Sequence, residues 1–145
     1  ATGILASVMM AQFILESAFG KSGLSVNANN YFGMKAGSSK DPWEGSTWDG
    51  VSKYTTLTEE YYGKTVTITA SFRKYNSFYE SVADHSAYLL NAKNGTSLRY
   101  AGLSGCKDYR QAAQIIKDGG YATGATYVDS ICNLIEKWNL TKFDL

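Results

Sequence analysis

The chain has 145 residues, 44% of them hydrophobic and 14% aromatic, enough apolar mass for one domain with its own core and too little for two. Its basic and acidic residues are interspersed and leave a formal charge of +1, so there is no electrostatic footprint for nucleic acid or an anionic membrane surface. No apolar run reaches the ~18 residues of a membrane span and no basic-then-apolar leader is visible; the start at Ala1, directly before a helical pattern, reads as a domain cut from a longer precursor.

Ile4, Val8, Ala11 and Leu15 recur at helical spacing and predict a first helix over about Ile4–Phe19. It is apolar nearly all round, which predicts a buried central helix, and Gly20 and Gly23 should stop it. The stretch "NANNYFGMKAGSSKDPWEGSTWDG" then holds Asn, Gly, Ser and the sole proline, Pro42, and reads as a loop-rich connection carrying aromatic residues. From Val51 to Phe72 the period changes to two: Val66, Ile68, Ala70 and Phe72 alternate with Thr65, Thr67, Thr69 and Ser71, and Tyr61–Lys64 offers a turn. This predicts a β-hairpin with one polar face.

Ser77 and Glu80 form a capping box for a helix to about Leu90, closed off by Asn94-Gly95. Asp108 and Gln111 open another to about Asp118, ended by Gly119-Gly120. A last helix, about Tyr127 to Trp138, has Tyr127, Val128, Ile131, Leu134, Ile135 and Trp138 on one stripe. The fold class is therefore α+β, mainly helical with one small antiparallel insertion.

Among chemically capable residues, Glu16 stands out. Its helical neighbours at three and four residues are Gln12, Phe13, Phe19 and Gly20, and Ile14 and Leu15 adjoin it. Such surroundings raise a carboxyl's pKa and keep it protonated near neutrality, as a general acid requires; the plainer alternative is a solvated acid at a helix end. "TLTEEYYGKTV" offers Glu59 and Glu60 as a second carboxylate, and in a strand these point to opposite faces. Adjacent acids near a hairpin tip can equally be solvated surface. Tyr121, in "GGYATGATY", sits in a glycine-bounded loop, where it can stack on a sugar, hydrogen-bond a reacting group or anchor the loop in the core. His85 lacks a nucleophile at any recognisable spacing and reads as a satisfied structural histidine. Cys106 and Cys132 are not at metal-ligand spacing; they read as buried thiols, with one disulfide as the alternative. Asn94-Gly95-Thr96 and Asn139-Leu140-Thr141 match a glycosylation sequon too short to carry weight. Nothing calls for a metal or an organic cofactor.

Four segments in order, "SVMMAQFILESAFGKSGLS", "NNYFGMK", "TEEYYGKTVTITASFRKYNSFYESVADHSAYL" and "GGYATGATYVDSICNLIEKWNL", resemble the glucosaminidase domains of bacterial autolysins and flagellar peptidoglycan hydrolases, glycoside hydrolase family 73. The resemblance spans nearly the whole chain. It implies a lysozyme-like fold, with a helical lobe, a β-hairpin lobe and a glycan cleft between them. It also implies a single catalytic domain over 1–145 from a longer secreted autolysin, an extracellular wall-associated setting and a monomer acting on peptidoglycan. The implied reaction is hydrolysis of the β-1,4 bond after N-acetylglucosamine, with a muramidase, a lytic transglycosylase or a non-catalytic glycan-binding wall module as alternatives. The resemblance places the family's helical acid on Glu16, its hairpin acid on Glu59 by gapless counting back from Gly63, its loop tyrosine on Tyr121 and its cleft-lining segment on Asn30 and Phe32. An inverting route through Glu59 suits carboxyls roughly 6.5–9.5 Å apart, whereas attack by the substrate's own N-acetyl group would retain configuration. Two departures stand out: Ala18-Phe19 replaces the common Gly-Trp, and Gly124-Ala125 replaces Asp-Pro.

Overall fold

Helix α1 spans Ala6–Ser17, inside the predicted limits at both ends. The computed structural model describes residues 2–36, 43–122 and 124–144; Pro42 and the middle of the predicted loop lie outside them, as does Thr123 next to the Tyr121 segment. Leu5, at the N-cap of α1, supplies no capping side chain. Asp144, from the other end of the chain, does so instead: its carboxylate accepts the Ser7 backbone N–H at 2.8 Å and the Ser7 hydroxyl. A negative group there also suits the helix dipole. Val8, Ala11 and Gln12 are buried, but Met10 and Leu15 are 36% and 40% exposed. The expectation of a helix buried all round is thus corrected, because only one stripe packs, chiefly against α5 (Tyr127–Lys137) and a closing 3-10 turn at Leu140–Phe143.

The chain leaves α1 before the glycines. Ala18 and Phe19 adopt left-handed φ values of 50° and 60°, ahead of Gly20 at 79°, and the Ser17 hydroxyl oxygen accepts the Gly20 N–H at 2.8 Å. Gly23 starts a new helix rather than stopping the first: α2 (Gly23–Ala28) is capped by Ser22, whose hydroxyl accepts the Ser25 N–H at 3.1 Å. A local cap here overrides the loop-like composition.

Strands β1 (Lys53–Tyr61) and β2 (Thr65–Arg73) form the expected antiparallel hairpin. Its register pairs Tyr54 with Phe72, Thr56 with Ala70, Thr58 with Ile68 and Glu60 with Val66, and these pairs make the more buried face. Lys35 bridges to Phe72 from the other side, so the segment after Asn30 runs along the outer edge of β2. Helix α3 (Phe78–Asn91) has the predicted cap: Ser77 accepts the Glu80 N–H at 3.1 Å, and the Glu80 carboxylate accepts the Asn76 N–H at 3.1 Å. Asn94-Gly95 does not end this helix. It turns a small hairpin of β3 (Lys93–Asn94) and β4 (Ser97–Leu98), where Gly95 has φ 68°.

Helix α4 (Tyr109–Asp118) begins as expected, with the Asp108 carboxylate accepting the Arg110 and Gln111 N–H groups. Its glycine end has a packing reason, since a Cβ on Gly119 would lie 2.4 Å from the Tyr100 ring. Ile116, Ile131, Cys132 and Ile135 join Val8, Ala11, Leu89 and Leu103 in the main core. Trp138 leaves the predicted stripe; it is 46% exposed and meets Phe19 edge-on at 5.8 Å. Both thiols are free, Cys132 buried and Cys106 partly so.

One buried ion pair joins the hairpin to the helical lobe. Arg73, at the end of β2, donates to Asp84 of α3 at 3.0 Å, and both side chains are essentially inaccessible. Tyr75 and Ser46 donate their hydroxyls to the same carboxylate, while the guanidinium lies over the rings of Trp43 at 3.7 Å and Trp48 at 4.3 Å. Removing one partner of such a pair strands a buried charge. Asp84→Ala is therefore expected to cost about 3–5 kcal/mol in urea unfolding. Ala18→Gly, which relieves a left-handed alanine, is expected to add about 1 kcal/mol in the same assay.

Candidate active site

Glu16 occupies the last turn of α1, where the helix dipole offers a carboxylate no help. Gly33 lies beside its carboxyl: a Cβ built there would sit 3.6 Å from Oε2, an ordinary contact, so it is the φ of +66° that makes the position a glycine one. Desolvation pushes the Glu16 pKa up from 4.5 to about 7. About half of the acid therefore keeps its proton at neutral pH, the upward shift expected from the sequence, although Leu15 and Phe19 are themselves exposed.

Glu16 opens into a cleft of about 980 Å³ between the helical lobe and the hairpin. Phe32, Tyr54, Trp43, Tyr88 and Tyr121 supply aromatic wall, and Lys35, Glu59 and Glu60 supply charge. Of the two hairpin acids, Glu60 is on the more buried face and pairs with Lys35, while Glu59 is on the exposed face opposite Thr67 and still borders the cleft. The opposite-face expectation therefore holds.

Tyr121 is both a site residue and a core anchor. Its hydroxyl donates to the Phe32 carbonyl at 3.1 Å, its ring packs among Tyr88, Tyr100 and Tyr127, and burial with the nearby Glu16 charge pushes its pKa well above the usual range. Asn30 lies beneath the cleft rather than in its wall. It is 1% exposed, its amide donates to the Met34 and Arg73 carbonyls at 2.9 and 2.8 Å, and its oxygen accepts the Met34 N–H at 3.0 Å. With both amide hydrogens and its oxygen engaged, it holds the turn that carries Phe32 and Gly33.

His85 departs from the expectation of a satisfied histidine. It is fully buried, and neither Nδ1 nor Nε2 has a hydrogen-bond partner among the described residues. Burial lowers its pKa from 6.5 to about 3, so the ring is neutral. An unpaired buried polar group costs about 1–3 kcal/mol, so packing must offset it. Gln12 Oε1 is similarly unpaired, while Gln12 Nε2 donates to the Tyr127 hydroxyl at 2.9 Å. Sequence reading did not select Lys35, Trp43, Tyr54 or Gly33. Lys35 and Gly33 lie in the quoted "NNYFGMK", but only the tertiary path of that segment along β2 brings them to the cleft.

A helical lobe presenting a desolvated acid to a groove, with a carboxylate-bearing hairpin opposite, defines a glycoside hydrolase domain of the lysozyme-like class. The chain belongs to the glucosaminidase family, whose model, described as mannosyl-glycoprotein endo-beta-N-acetylglucosaminidase, matches residues 1–140. It is 36% identical over 141 residues to the exo-glucosaminidase LytG of Bacillus subtilis, covering 97% of this chain and 46% of that protein. It is 38% identical over 146 residues to a probable N-acetylmuramidase of Lactococcus lactis, covering 98% and 30%. The crystal structure of the catalytic domain of the autolysin Auto from Listeria monocytogenes is 33% identical with a TM-score of 0.76, covering 99% of this chain and 77% of that one. The chain spans less than half the length of these curated relatives.

Because folding raises the Glu16 pKa, the folded state holds this proton more tightly than the unfolded chain, and the burial penalty grows as pH rises from 4.5 to about 7. Glu16→Gln is accordingly expected to be more stable than the parent above pH 7, by about 1–3 kcal/mol, with the gap closing below pH 4.5. Urea unfolding at pH 4 and pH 8 measures this.

Proposed function

We propose that this domain is an endo-β-N-acetylglucosaminidase that hydrolyses the β-1,4 bond between N-acetylglucosamine and N-acetylmuramic acid in peptidoglycan strands. The observation that carries this reading is Glu16, a carboxyl whose pKa burial pushes up to about 7, on the wall of an aromatic-lined cleft of about 980 Å³. Glu16 donates its proton to the leaving glycosidic oxygen as positive charge develops on the sugar. Glu59 acts from the hairpin as the second carboxylate: it borders the cleft, and of the two adjacent acids only Glu60 is ion-paired among the described residues. An unpaired, hydrated carboxylate suits activation of a water. The inward face of Glu60 favours a second reading, in which Glu60 takes that role once substrate displaces Lys35.

Tyr121 acts by fixing the Phe32 carbonyl and the segment beside the acid, Asn30 supports that segment from below, and Phe32 lines the cleft. The domain works as a monomer in an extracellular, wall-associated setting, as part of a longer autolysin. The names of the relatives support a wall substrate but differ on the bond, since one is called an exo-glucosaminidase and another a probable N-acetylmuramidase.

Purified peptidoglycan digested with this domain and reduced with borohydride is expected to yield reduced N-acetylglucosamine ends by mass spectrometry. Reduced or anhydro N-acetylmuramic acid ends would transfer the assignment to a muramidase or lytic transglycosylase, and absence of new ends would point to a binding module. Glu16→Gln is expected to lower turnover by about 10²–10⁴-fold with the fold retained. Glu59→Gln is expected to lose more activity than Glu60→Gln, and the opposite order would transfer the second role to Glu60.

A further inference from the structure

Helix α3 contributes a side chain to the surroundings of Glu16 without reaching the cleft. The His85 ring is stacked on Phe32 with centroids 3.8 Å apart and planes 9° apart, closer than the 4.5–7 Å usual for aromatic pairs. It meets Tyr121 in a T-shaped arrangement with centroids 5.7 Å apart, and Tyr121 in turn donates its hydroxyl to the Phe32 carbonyl. The Phe32 residue is therefore held twice, by its ring and by its carbonyl, from two different elements. The next residue is Gly33, which lies beside the Glu16 carboxyl.

We propose that His85 is a positioning residue for Glu16: its imidazole face, stacked on Phe32, holds the Phe32–Gly33 strap against the acid and keeps water from the carboxyl. This role rests on the reading of Glu16 as the general acid. The ring is fully buried and among the described residues neither nitrogen has a hydrogen-bond partner, so its contribution to the strap is the shape and rigidity of the stack. The ring also stays neutral well below the range in which Glu16 titrates, so the strap is not loosened by its protonation there. The other titratable groups lining the cleft are Tyr88, Lys35, Tyr54, Glu59, Glu60 and Tyr62, and the two that feel the Glu16 charge directly are Tyr121 and Tyr127. The two tyrosines are pushed upward and remain uncharged as the acid titrates.

The test is the Glu16 titration followed by carboxyl carbon-13 NMR in the parent, His85→Leu, His85→Phe and Phe32→Leu. His85→Leu is expected to move the midpoint toward the ordinary carboxylate range by about one unit or more, as water reaches the acid. His85→Phe, which keeps an aromatic face, is expected to restore most of the parent value. Phe32→Leu, which removes the stack from its other side, should reproduce the shift, and the double variant His85→Leu/Phe32→Leu should add little to either single one. Should His85→Leu not fold, Phe32→Leu compared with the parent decides the question. A folded variant lacking the stack whose Glu16 midpoint equals that of the parent would overturn the proposal. Peptidoglycan turnover by the parent, measured separately, tests the underlying reading: an inactive parent with the shift intact sinks that reading and leaves strap positioning standing, whereas an active parent with no shift sinks the positioning role alone.

Discussion

The contact on which this architecture depends is the buried pair of Arg73 and Asp84. Its side chains join β2 to α3, and the stacked rings of Trp43 and Trp48 bring in the segment between α2 and the hairpin. The backbone of Arg73 is equally engaged: its N–H donates to Met34 and its carbonyl accepts from Asn30. A two-stranded hairpin alone is marginally stable in water. Here a single residue ties it to the helical lobe by an ion pair, two cation–π contacts and two main-chain hydrogen bonds. The carboxylate is compensated by charge and hydroxyl donors together, which is the condition under which a buried ion becomes tolerable.

From that junction the geometry of the acid follows. Asn30, bound to Arg73, holds the turn that brings Gly33 beside the Glu16 carboxyl, and the positive φ of Gly33 favours glycine there. Tyr121 from the far side secures the Phe32 carbonyl. The acid is desolvated by backbone and rings rather than by a charged partner, and desolvation is the cause of its raised pKa. That choice matters chemically, because a like-charged neighbour would also raise the pKa but would titrate with it, whereas an apolar wall acts independently of the other cleft charges.

Several locally unfavourable features gather around this one residue. Ala18 and Phe19 are left-handed immediately after the helix that bears it, and among the described residues Gln12 Oε1, one turn before it, and both His85 nitrogens have no hydrogen-bond partner. Helices α3 and α4, by contrast, have ordinary side-chain caps, and the main core is apolar. Local rules are broken mainly where the site is built, which is the pattern expected when stability is traded for a preorganised environment.

The sequence by itself determined the elements whose signals are local. Period-two alternation marked the hairpin, and Ser77 with Glu80 and Asp108 with Gln111 marked two helix starts, all signals from residues within about four positions; the apolar run around Glu16 pointed to a raised pKa, but Leu15 and Phe19 are exposed and distant segments complete its burial. The failures share the opposite cause. Asp144 caps α1 from 137 residues away, Leu15 and Trp138 stay largely exposed, Trp138 meeting Phe19 only edge-on, and the His85 nitrogens find no partner among the described residues. Likewise, Asn30 matched a cleft motif by resemblance, yet the tertiary path of its turn puts it under the cleft floor. Periodicity records that a face is apolar, but only packing between distant segments decides what covers it, and the strap beside Glu16 exists through such packing alone.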